Sequence, residues 1–135
     1  MNSFIHLHLH TQFSLLNSTI KLDPLFELAK QYNMSACAIT DLGNMFGVVD
    51  FYLKAKESGI KPIIGCEARL PPESPFTRKT KKGIDPYYHI VLLAMNNQGY
   101  RNLMKLVSSA NMEGFYDVPR TDKEILSTYN EGLIC

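Results

Sequence analysis

The segment Phe4-Ile5-His6-Leu7-His8-Leu9-His10 constrains this chain most, because three of its four histidines fall there at every second position. An extended backbone sends alternate side chains to opposite faces. The pattern therefore predicts a strand over 4–9, with the imidazoles in one row and Leu7 and Leu9 turned to a core. Three imidazoles in register point to a ligand, since neutral imidazole is the commonest nitrogen donor to zinc and similar ions. The plainer reading is a histidine-bearing solvent face or a tag. It fits less well, because a tag is a contiguous run and these histidines alternate with leucines that have packing to do.

Downstream, apolar runs alternate with helical periodicity. Asp23-Pro24 reads as a helix start, with Leu25, Leu28, Ala29 and Tyr32 as its apolar face and Asn33 as its stop. Ser35 to Thr40 is a short, continuously apolar strand of the kind buried in a parallel sheet. A helix is expected over 45–57, with Met45, Val48, Val49, Tyr52 and Leu53 inward. It is followed by a strand over 60–67 that finishes on Glu67. The stretch from Pro71 to Pro86, rich in proline and cations, reads as a mobile surface loop. A strand over 88–95 begins near His89, and a helix over 97–110 carries Leu103, Leu106, Val107 and Ala110 on one face. Thr121-Asp122-Lys123-Glu124 matches a capping box opening a short helix, and Leu133 to Cys135 reads as a strand cut short. This order predicts an α/β protein with parallel strands, because helical crossovers join parallel neighbours. A last strand ending at Cys135 leaves a sheet edge unpaired, so the expectation is the front part of a longer, barrel-like chain.

Composition excludes several alternatives. The 135 residues make one ordinary domain, and 45% hydrophobic with 20% charged residues is a globular balance. A net charge of +1 argues against a uniformly basic nucleic-acid binder, leaving Arg78 to Lys82 as one local basic run. Cys37, Cys66 and Cys135 form no CxxC pair and are read as reduced thiols of a cytoplasmic protein. No apolar run approaches the ~20 residues of a membrane helix.

In βα architectures, functional groups gather at the carboxyl ends of strands. His8, His10, Asp41 and Glu67 fall there, and His89 is the further imidazole. Two imidazoles at i and i+2, a carboxylate and a third imidazole suit zinc, manganese or iron, which polarise a phosphoryl oxygen and acidify bound water. Singly, each residue has a plainer role: Glu67 as a loop acid, His89 as a hydrogen-bonded histidine, Asp41 as a turn or helix cap. Cys66, beside Glu67, points to the opposite face and is read as core.

Four stretches together resemble a known family: His6 to Leu16, Ala38 to Gly47, Gly59 to Glu67, and Gly99-Tyr100-Arg101-Asn102-Leu103. They are similar to the N-terminal PHP (polymerase and histidinol phosphatase) domain of the alpha subunits of bacterial replicative DNA polymerase III, over essentially all of residues 1–135. The resemblance implies the N-terminal part of a distorted seven-stranded β/α, TIM-like barrel whose strand ends hold metal ions. It maps family ligands onto His8, His10, Glu67 and His89, and sets His6 outside them. Two ligand positions depart from the family pattern: the acid usual after Leu-Leu is Asn17, and the histidine usual after Thr-Asp is Leu42.

The resemblance implies a partly degenerate zinc or manganese site with a structural role, or a role in binding the proofreading exonuclease subunit. The parent would be a DNA-directed polymerase using magnesium and partnered by DNA and other replicase subunits. A free-standing metal-dependent phosphoesterase similar to histidinol phosphatase is the alternative function, and a scaffold without metal is a third.

Overall fold

The computed structural model describes residues 4–72, 87–115 and 117–135. The expected surface loop falls mostly, and the Arg78 to Lys82 run entirely, outside these residues. Four strands form one sheet in the order β1 (Ala36–Ile39), β2 (Lys61–Leu70), β3 (Tyr88–Ala94) and β4 (Leu133–Ile134). The helices among the described residues are α1 (Leu22–Gln31), α2 (Val48–Glu57), α3 (Asn97–Met112) and α4 (Lys123–Thr128).

The expectation of an all-parallel sheet is corrected. β2 pairs with β1 in parallel from Lys61 to Ile64, then with β3 antiparallel from Gly65 to Leu70, and β3 pairs antiparallel with β4. No helix separates β2 from β3 among the described residues, so nothing there imposes the parallel crossover that the alternation suggested. Gly65 sits where β2 changes partner. A Cβ at this position would lie 2.5 Å from the Leu92 carbonyl oxygen, closer than any side chain can approach.

The predicted first strand is also corrected: the histidine segment lies alongside β1 without joining the sheet. The Ala38 N–H donates to the His6 carbonyl and the Thr40 N–H to that of Leu9, both at 2.9 Å. Three residues on the histidine side thus match two on β1, and the surplus residue is taken up in a bend at Leu7 and His8. The bend breaks the period of two. Leu9 is buried as expected, whereas Leu7 is exposed.

Both leading helices turn inward a face that only partly matches the one predicted: Ala29 and Val48 are buried as expected, and Leu25 and Met45 pack against the core, but the rest of each predicted row is not buried. On α1, Leu22, Phe26 and Ala29 are buried while Leu28 and Tyr32 are exposed; on α2, which starts at Val48, the buried residues are Val48, Phe51 and Ala55. Each helix carries two apolar rows at helical spacing, so periodicity alone does not choose between them. Contact between the Phe26 and Phe51 rings, centroids 5.1 Å apart, accompanies the observed choice. α3 buries Leu103, Leu106 and Ala110 as expected, with Asn96 capping it through the Gly99 N–H. On α4, the cap is Asp122 and not Thr121.

Two cores result. One lies between β1 and helices α1 and α2, and the other, containing Cys66 and Leu92, lies against α3. No helix among the described residues is long and apolar enough to cross a membrane. Cys37 and Cys66 are fully buried and Cys135 is exposed, all three as free thiols. Burial pushes the Cys37 thiol up to about 11 and the Cys66 thiol to about 12. Cys37 and Cys66 are therefore expected to resist an aromatic disulfide at pH 8 in the folded protein and to react after denaturation, as read by peptide mass mapping. Rapid modification of either thiol in the folded protein would contradict this packing.

Candidate metal centre

Glu67 is the hub of the site. Its backbone is fixed on both sides: the Glu67 N–H donates to the Asp41 carbonyl at 3.1 Å, the Gly43 N–H donates to the Glu67 carbonyl at 2.8 Å, and Val91 faces it across the antiparallel ladder. Strand alternation then sends Cys66 into the α3 core and the Glu67 carboxylate to the opposite face, as the sequence suggested. There the Nε2 atoms of His8 and His10 each lie 2.5 Å from Glu67 Oε2, and His89 Nδ1 pairs with Oε1. His89 reaches Glu67 along a diagonal of the β2/β3 ladder, because its direct partner is Arg69.

The Glu67 side chain is 4% exposed, while those of His8 and His89 are 56% and 44% exposed. The site is thus a buried anion lidded by accessible imidazoles. Burial raises the Glu67 pKa, but hydrogen bonds from His8, His89 and His10 lower it by more, leaving the carboxyl below its usual range. The stability this adds is present above the ordinary carboxylate range and is lost as the pH falls through the lowered value.

Sequence reasoning missed what holds the histidines there. Asp41, expected as a functional acid or a cap, is a buried anchor whose side chain holds the segment after His10. Its carboxylate accepts from the Thr11 N–H at 2.6 Å, the Thr11 hydroxyl at 2.7 Å and the Ser14 hydroxyl at 2.6 Å. Thr40 adds a second clamp: its hydroxyl oxygen accepts from the Leu9 N–H at 2.7 Å, while the Ser18 hydroxyl donates to the His10 carbonyl at 2.8 Å. Residues on both sides of His10 are therefore bonded to the end of β1. The available signal was Thr11 and Ser14 directly after the histidines, matched by Thr40-Asp41 after a strand.

His6 does not join the cluster. Beyond the bend its ring packs edge-on to Phe4, with centroids 4.8 Å apart. Asn17 is exposed and donates to the Leu15 carbonyl, and Leu42 offers no donor, so neither departure from the family pattern is replaced at its own position. A groove of about 540 Å³ opens beside the histidines, with Leu28 and Tyr32 in its wall.

The donor set fits a divalent cation. Ligand atoms of His8, His10 and Glu67 all lie within 4.8 Å of one another, and imidazole nitrogen with carboxylate oxygen is a set that zinc and manganese accept. An ion about 2.0–2.2 Å from each donor requires the histidine–carboxylate contacts to open by only about 1 Å.

The PHP domain profile matches residues 6–135, and the chain belongs to the PHP domain family. Three relatives are DNA polymerase III alpha subunits. That of Borreliella burgdorferi is 50% identical over 132 residues, covering 98% of this chain and 12% of the relative. Those of Thermus aquaticus (52% over 134 residues) and Aquifex aeolicus (51% over 136) each cover 97% of this chain, and 11% and 12% of the relatives. The chain thus spans about one-eighth of the length of these relatives.

Asp41→Ala strands three buried donors and is expected to destabilise the fold by about 3–4 kcal/mol. Asp41→Asn, which keeps one acceptor, is expected to cost about half as much. Urea unfolding in the presence of chelator measures both, and a loss below about 1 kcal/mol for the alanine variant would contradict the anchoring role.

Proposed function

We propose that this chain is the N-terminal PHP portion of a DNA polymerase III alpha subunit, and that His8, His10, Glu67 and His89 hold divalent metal within it. The observation that carries the reading is identity of about 50% to such subunits over nearly the whole chain. The convergence of three imidazoles on one buried carboxylate supports the metal assignment. The seven-stranded barrel belongs to the same proposal, with the four strands seen here as part of it and residues 1–135 as the leading portion of the domain.

Bound zinc or manganese supplies Lewis acidity and a water of lowered pKa. The residues themselves do the positioning. His8 and His10 meet Oε2 of the carboxylate, His89 meets Oε1, and the exposed imidazole edges keep the centre open to solvent. Asn17 and Leu42 leave the family set short of one acid and one histidine, which favours a structural metal over efficient phosphoester hydrolysis. A free-standing phosphoesterase similar to histidinol phosphatase is not favoured, since the relatives above are polymerase subunits.

In this reading, nucleotidyl transfer with magnesium resides elsewhere in the parent polymerase. DNA, other replicase subunits and a proofreading exonuclease are its partners, and the cytoplasm is its location.

Equilibrium dialysis of the full-length protein against zinc or manganese tests the metal assignment. One or two ions per PHP domain are expected, with His8→Ala and Glu67→Ala each lowering affinity at least tenfold. Three tightly held ions would overturn the degenerate site, and unchanged binding in both variants would overturn the ligand assignment.

A further inference from the structure

His89 presents a physical problem that the metal centre alone does not solve. Its side chain is 44% exposed, and its backbone lies at the end of β3 next to residues outside the described set. An exposed imidazole at a strand end samples several rotamers unless something packs against it. In this structure, Tyr87 does. The Tyr87 and His89 rings lie 5.5 Å apart between centroids with a 38° tilt, as expected of side chains two residues apart on one face.

Tyr87 is itself restrained from beyond. The guanidinium carbon of Arg69 is 5.4 Å from the centre of its ring and that of Arg120 is 5.8 Å, both within the range of cation–π attraction. These are unusual arginines, only 8% and 6% exposed, so they are far less free to swing than surface side chains. Arg69 is doubly placed, because it stands opposite His89 in the ladder and its carbonyl accepts from the Thr121 N–H at 2.9 Å. That bond fixes the Arg120-Thr121 segment against β2. The result is a continuous line of packed groups: buried guanidinium, phenol ring, imidazole, carboxylate.

We infer that Tyr87 is a positioning residue for His89: held by Arg69 and Arg120, it fixes the imidazole so that Nδ1 meets Glu67 Oε1. The inference rests on the metal reading of Glu67 and its histidines and adds to it a group that touches neither metal nor carboxylate. The inference assigns the effect to the ring of Tyr87, whose centre is the point that His89 and the two guanidinium groups approach. Phenylalanine at the same position keeps that ring.

The test uses the full-length protein with zinc affinity measured by competition with a chromophoric chelator, and with cobalt substituted for its visible absorption. Tyr87→Leu is expected to weaken binding about tenfold and to shift the cobalt bands, while Tyr87→Phe restores both. Arg69→Met, which leaves the ring in place but removes one cation, is expected to give a smaller loss in the same direction, and it serves where Tyr87→Leu does not fold. A purely structural role would lower the melting temperature of the metal-free protein without moving the cobalt spectrum.

His8→Ala is the control for the underlying site. If it abolishes binding while Tyr87→Leu and Arg69→Met bind as the native protein does, the positioning role is overturned and the metal site stands. If His8→Ala has no effect, the metal reading itself fails. Equal losses in Tyr87→Phe and Tyr87→Leu would also overturn the inference, because they would assign the effect to the hydroxyl.

Discussion

A carboxylate taken out of water must be compensated, and in this fold that constraint falls on Glu67. The penalty for burying an unpaired charge is several kcal/mol, large beside the whole stability of a domain of this size. Three imidazole contacts outweigh the burial and leave the carboxyl more acidic than an ordinary one. Those imidazoles come from two separate stretches, the bent segment before β1 and the start of β3. Pairing them with Glu67 ties the parallel half of the sheet to its antiparallel half, at the place where β2 changes partners.

The second buried carboxylate does different work. Asp41 faces hydroxyls and a backbone amide and no histidine, and it fixes the chain that follows His10. Together with Thr40 it replaces the strand ladder that the histidine segment lacks. A regular strand would have kept three histidines in a row. The bend gives that up and gains two that converge on one oxygen, with the neighbouring backbone pinned by side chains of β1's end. The packing of Phe13 reinforces the same loop from below: Gly47, just ahead of α2, has no room for a Cβ because that atom would lie 2.3 Å from the Phe13 ring. Tyr87 and the two buried arginines extend the restraint to the far side of the carboxylate.

The division of labour between sequence and structure follows from how local each signal is. His8, His10 and Glu67 were legible because histidine spacing and strand-end placement are local patterns, whereas His89, near the start of its strand, entered as a further imidazole and through the family resemblance; the structure brings the four side chains together. Burial of Cys66 opposite Glu67 was legible from strand alternation alone. The antiparallel direction of β3 was missed because the alternation seen elsewhere was carried across a segment that has no helical pattern and so imposes no parallel crossover. The inward faces of α1 and α2 were legible only at Leu25, Ala29, Met45 and Val48, because two apolar rows compete and the packing of Phe26 on Phe51 goes with the other. The bend at Leu7 and His8 depends on register against β1, which no single stretch of sequence reveals. Asp41 read as a cap because its true partners, Thr11 and Ser14, lie about 30 residues away.

The chain belongs to the PHP domain family and is about half identical to DNA polymerase III alpha subunits over nearly its whole length, and the reading proposed above takes its histidine–carboxylate cluster as a metal centre kept for architecture. The central claim is that the cation is bound by these imidazoles and this carboxylate. X-ray absorption at the zinc K-edge of the zinc-loaded, full-length protein measures that most directly. Nitrogen and oxygen donors near about 2.0–2.1 Å, with outer-shell scattering from at least two imidazole rings that is lost in His8→Ala, is the predicted result. A sulfur shell near about 2.3 Å, or a spectrum unchanged by His8→Ala and Glu67→Ala, would contradict it.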